Sequence, residues 1–147
     1  MDNLFTIGFT KKTAKEFFEI LKQNGVETLL DIRLNNTSQL AGFSKYPDIK
    51  YFLGQICNIK YIHDVLFAPL EETLDSYKKK KITWQGYVNQ FNETMNNRQI
   101  NDYINLKYLE KKNLCLLCSE EKADKCHRSL VAEHFTSLKK DFKIIHL

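Results

Sequence analysis

Two stretches, residues 26–32 (VETLLDI) and 113–117 (NLCLL), set apolar residues next to one another instead of alternating them with polar ones. A strand of that kind buries both of its faces, which requires a sheet covered on each side and predicts parallel strands joined by helices. Helix-spaced stretches do separate the runs. Ala14, Phe17, Phe18 and Leu21 mark a helix over residues 13–23, and Asn24-Gly25 stops it, because glycine takes the left-handed helix-end conformation at least cost. Shorter strands are predicted at 4–7, 59–63 and 142–146, and helices at 47–56, 84–95, 100–110 and 129–135, with Pro47 in a first turn. The expected fold is one α/β domain over residues 1–147, a mostly parallel five-stranded sheet with helices on both faces, three-layered and Rossmann-like.

Cysteine spacing and charge narrow the setting. Cys57, Cys115, Cys118 and Cys126 do not form a secreted framework, and the first residues, MDNLF, have neither a basic segment nor a long apolar one. Free thiols in a cytoplasmic protein are therefore expected. No apolar window approaches the roughly 20 residues of a membrane helix, so no membrane partner is expected. The net charge of +4 tilts the surface towards anionic partners, although part of the excess lies in one run, Lys78 to Lys81. That run reads first as a solvated helix end or loop, and second as a nucleic-acid contact. Trp84, Tyr87, Val88 and Phe91 recur at helical spacing and read as a core stripe before they read as stacking platforms for bases.

Reactive groups concentrate between residues 118 and 128, where the strand at 113–117 turns into the helix at 129–135. If the first, second and fourth strands are parallel neighbours, Gly8, Asp31 with Arg33, and the span from Cys118 to Arg128 all lie on one carboxyl rim, where open α/β sheets bind ligands. Gly8 would let a ligand approach the backbone. With Asp124 as helix N-cap, Cys126, His127 and Arg128 occupy a first turn whose N–H groups, joined by Arg33 and Arg128, suit a phosphate or carboxylate. A helix N-terminus lowers a thiol's pKa, which favours Cys126 over Cys118 as a nucleophile. Asp31 and Glu120 are candidates for moving protons or for holding the arginines.

The same residues also fit a structural ion-pair network bracing the turn, with Cys118 as ordinary core and His127 bonded to a carbonyl. Zinc is a weaker fit: Cys115 and Cys118, three apart on a strand, face opposite sides, and adjacent Cys126 and His127 are awkward joint ligands. No metal site is expected. A thiol-phosphatase loop would need arginine six residues after its cysteine, and position 124 holds aspartate. Without a glycine-rich phosphate loop or dinucleotide fingerprint, no cofactor is expected either.

Thr6-Ile7-Gly8-Phe9-Thr10, Asp31-Ile32-Arg33, and Leu117-Cys118-Ser119-Glu120 with Cys126-His127-Arg128 give the chain a family likeness. It resembles the domain of unknown function 488 (DUF488), marked by Thr-Ile-Gly-His-Ser, Asp-Val-Arg, and a Leu-Cys-x-Glu turn followed by Cys-His-Arg. The stretches at 38–43 and 66–69 resemble a subgroup of that family, and the likeness spans nearly the whole chain. Phe9 stands where the family usually has histidine, and Asn36 where many members have proline. The resemblance implies an α/β fold and a shared rim site, with no reaction attached. The leading expectation is a rim pocket for a nucleotide, a phosphorylated small molecule or a nucleic-acid end; a non-catalytic nucleic-acid module using the lysine run, or a zinc-braced structural protein, are the alternatives.

Overall fold

The computed structural model describes residues 2–37, 42–120 and 123–147. Its strands β1 (Asn3–Gly8), β2 (Thr28–Asp31), β3 (Lys60–His63), β4 (Leu114–Cys118) and β5 (Lys143–His146) lie in the order β3-β2-β4-β1-β5. All neighbours are parallel. Parallel neighbours need long crossovers, made by α1 (Ala14–Gln23), α2 (Asp48–Phe52, prolonged by a wider turn over Leu53–Cys57), α3 (Glu71–Lys78), α4 (Trp84–Asn97), α5 (Ile100–Lys107) and α6 (His127–Leu138).

Successive strand side chains point to opposite faces, so the sheet divides its residues between two cores. Leu4, Leu30, Leu114, Leu116 and Cys118 pack with Tyr87, Phe91 and Met95 of α4, Ile104 of α5 and Phe135 of α6. Phe5, Ile7, Leu29, Cys115 and Leu117 pack with Phe17, Phe18 and Leu21 of α1 and with Ile49 of α2. The α/β sandwich read from the sequence is the fold found, and Cys115 and Cys118 do face opposite ways. Local signals set the ends of α1: Thr13 accepts the Glu16 amide while the Glu16 carboxylate accepts that of Thr13, and Gly25 follows with φ +68°.

Three differences bear on the site. The crossover from β3 to β4 holds α3 in addition to the two predicted helices; α3 buries only Thr73, so its apolar signal is faint. Glu71 and Glu72 open it and Lys78 ends it, charges that suit the helix dipole. The lysine run is thus an exposed helix end and the turn after it. Residues 34–46, a polar stretch with little helical pattern from which sequence alone predicts a mobile loop, are tied down where they are described: the Tyr46 amide donates to the Asn36 carbonyl at 2.8 Å, and buried Ser44 lies in a short turn, Gly42–Ser44. Most of the motif at 38–43 lies outside the described residues. Finally, α6 begins at His127, two residues before the predicted start.

Candidate functional site

The register sets Gly8 beside Cys118 and Asp31 beside Leu117, so three distant segments leave the sheet side by side at its carboxyl edge. A cavity of about 740 Å3 opens there. Arg33, Cys118, Glu120, Cys126 and His127 bound it on the sheet side, and Tyr77, Lys78, Lys80 and Trp84 face them from α3, α4 and the turn between. Lys78, Lys80 and Lys125 are exposed, as are the acidic lining residues Glu71, Asp75 and Glu120, so the mouth carries charges of both signs.

Asp31 is fully buried and grips Arg33 in a fork, accepting from Nε at 2.9 Å and from Nη2 at 2.7 Å. The Arg33 amide and the Tyr61 hydroxyl donate to the same carboxylate at 3.2 and 2.5 Å. Burial, together with that carboxylate, pushes the Tyr61 phenol up. Arg33 also donates to the Ser44 carbonyl at 2.7 Å and lies over the Phe9 ring at 5.2 Å. Bidentate pairing with full hydrogen bonding is what lets two opposite charges stay buried. One guanidinium nitrogen of this wall residue, Arg33 Nη1, is buried without an acceptor among the described residues.

Gly8 and Arg128 serve the turn that follows β4. A Cβ at position 8 would lie 1.6 Å from the Glu120 carbonyl oxygen and 2.5 Å from Arg128 Nη1, so the close approach expected of a ligand is made by the protein itself. Arg128, 1% exposed, donates from Nη1 to that carbonyl at 2.8 Å, and burial works against its charged form. Arg33 is the guanidinium that borders the cavity.

The sulfur expectations change most. Cys118 and Cys126 are joined in a disulfide, so only Cys57 and Cys115 are free thiols. A nucleophilic Cys126 thiolate therefore has no place in this form, because the end of β4 and the start of α6 bring the two sulfurs into bonding contact. Asp124 is not the N-cap. It sits in the short turn Ala123–Lys125, and Cys126, in extended conformation, takes the cap position with no side-chain hydrogen bond.

His127 Nε2 lies 2.8 Å from the Ile32 carbonyl, which can only accept; that nitrogen therefore carries the proton and Nδ1 keeps its lone pair. Burial lowers the imidazole pKa to about 4, against the opposing pull of this hydrogen bond, so the ring is neutral at pH 7. The Cys118 and Cys126 sulfurs and a His127 ring nitrogen lie within 4.8 Å of one another. Cys126 is extended, and Cys115 belongs to the other core.

Sequence reasoning missed Tyr61, Ser44 and the role of Phe9. Tyr61 is on β3, bonded to β2 only through sheet order, and Ser44 contributes a backbone carbonyl; neither leaves a motif. Trp84, read as core, is half-buried, and with Tyr77 it packs on the core while also walling the cavity. No helix among the described residues is long and apolar enough to cross a membrane. The family model for the domain of unknown function DUF488 matches residues 13–135. No curated protein and no solved structure is significantly similar to the chain.

Proposed function

Starting from a chain that belongs to the DUF488 family, we propose that its rim cavity binds a phosphate-bearing anion: a nucleotide, a phosphorylated metabolite or the end of a nucleic-acid strand. The observation that carries this reading is Arg33, held by Asp31 through Nε and Nη2 while Nη1 lacks an acceptor among the described residues. A buried donor left unsatisfied costs about 1–3 kcal/mol, which an incoming phosphate oxygen would recover. Lys78, Lys80 and Lys125 at the mouth add attraction, while Glu71, Asp75 and Glu120 limit it, so selectivity rests on the guanidinium. Trp84 and Tyr77 supply aromatic surface for a base. Of the proton-moving candidates, Asp31 is fully engaged and Glu120 faces the cavity; no reaction is assigned. A cytoplasmic setting belongs to the same reading.

Arg33→Lys tests it. Lysine can still pair with Asp31, but its single ammonium cannot also present a second nitrogen on the fork. Wild-type protein is expected to bind nucleoside monophosphates or 5′-phosphorylated oligonucleotides, with at least tenfold weaker binding by Arg33→Lys in calorimetry. Equal affinities would remove the anion site. The lysine run at the same mouth favours a second reading, a non-specific nucleic-acid contact. In that case changing Lys78 and Lys80 to Gln would abolish oligonucleotide binding and flatten its salt dependence while Arg33→Lys left it intact.

A further inference from the structure

We propose that, when the Cys118–Cys126 disulfide is reduced, Cys118, Cys126 and His127 bind a thiophilic divalent ion of the zinc class, with a remaining coordination position open to the rim cavity. The three donor groups already lie within 4.8 Å of one another, and all three residues line that cavity. Two sulfurs held at about 2.3 Å from a tetrahedral ion sit about 3.8 Å apart. Breaking the sulfur–sulfur bond lets the pair move apart to about that distance.

The histidine is prepared for the role. Its Nε2–H is held by the Ile32 carbonyl, which fixes ring orientation and tautomer, and Nδ1 has no hydrogen-bond partner among the described residues. A backbone carbonyl behind a ligating imidazole is the arrangement that orients such rings and raises their basicity. Three protein ligands with one position left to solvent or substrate is the pattern of reactive zinc sites, whereas structural ones close with four. This inference does not depend on the anion reading.

The chemistry balances. A dithiol reductant delivers two electrons and two protons to the Cys118–Cys126 bond and becomes a disulfide itself. Both thiols then give up their protons to solvent as the ion binds, forming two thiolate–metal bonds and one imidazole–metal bond. A small-molecule disulfide reverses the sequence by thiol–disulfide exchange: it takes two electrons from the two thiolates and leaves as two thiols, the Cys118–Cys126 bond re-forms and the ion is released, so the same two sulfurs exclude metal in one redox state and hold it in the other.

Full-length protein, reduced anaerobically with a phosphine and titrated with Co2+, tests the inference. The expected result is one Co2+ per chain, with thiolate-to-cobalt charge-transfer absorption and tetrahedral visible bands that Zn2+ bleaches. Untreated disulfide protein should take up none. Cys118→Ser and His127→Gln should each lose at least tenfold in affinity, and Cys57→Ser should lose nothing. Equal uptake by the disulfide form, or by Cys118→Ser, would overturn the assignment. So would reduced wild type that keeps its native circular dichroism but shows no charge-transfer band, a comparison that needs no variant to fold.

Discussion

Two buried carboxylates stand at the carboxyl ends of adjacent strands, and they are finished differently. Asp64, just past β3, accepts from the Tyr103 and Tyr108 hydroxyls at 2.6 Å each and from the Leu66 amide at 3.1 Å. Every donor there belongs to the protein and is satisfied by it, so the cluster is a brace for the turn Val65–Phe67, which Arg98 clamps through the Leu66 and Ala68 carbonyls. Asp31, ending β2, is also saturated, but its partner Arg33 borders the cavity and keeps one nitrogen without an acceptor among the described residues. A closed network reports architecture. An open one beside a cavity leaves a donor unmet among the described residues, and the proposed anion site rests on that donor.

The sharpest way to break this comparison is Asp31→Ala. It leaves the Arg33 charge buried without its carboxylate and should cost about 3–5 kcal/mol in urea unfolding; a cost near 1 kcal/mol would mean that the fork is not what holds Arg33. Gly8→Ala comes next. Its methyl group collides with backbone at the Glu120 carbonyl, and a loss of about 3 kcal/mol is expected. An unchanged midpoint would show that the turn after β4 is free to move.

Acid should then separate the open side of the rim from the closed one. The folded pKa of His127, about 4, lies below its ordinary 6.5, so the unfolded chain binds the proton first as pH falls. The contribution is present above pH 6.5 and fades towards pH 4, amounting to about 2 kcal/mol between pH 7 and 5. His127→Gln should lack that slope, and a variant as acid-sensitive as wild type would show that the imidazole is not held neutral by burial. The smallest effect is expected from Tyr108→Phe. Removing one neutral donor from Asp64 should cost about 1–2 kcal/mol and leave phosphate binding untouched. Weaker binding in that variant would show that the Asp64 brace and the Asp31–Arg33 fork are energetically coupled.

Much of this was legible one segment at a time. The doubly apolar runs announced a parallel sheet because only strands covered on both faces dispense with polar alternation, and the order β2-β4-β1 brought the expected segments onto one rim. Gly25 marked the end of α1 through backbone freedom. Helix α3 was missed because a helix stabilised by terminal charges and one buried threonine shows little periodicity. The Asp124 cap was misplaced for a related reason: a capping side chain can be read from spacing, but whether the backbone is extended at 124 or at 126 depends on where β4 delivers the chain.

The residues of the rim show the same division more finely. Asp31 and Arg33, two positions apart, announce a pair; that Tyr61 completes it, that Phe9 lies under the guanidinium where an imidazole would usually stand, and that Gly8 yields its space to the Glu120 carbonyl are consequences of strand neighbours. Sequence alone determined the strands, most of the helices and the parallel sheet, because apolar period and turn chemistry act within a few residues, and its motifs pointed to the family. Tertiary structure alone decided which sulfurs meet, which arginine borders the cavity and which nitrogen keeps a lone pair. Those outcomes depend on distances of a few ångströms between segments up to about a hundred residues apart, and no local pattern encodes such a distance.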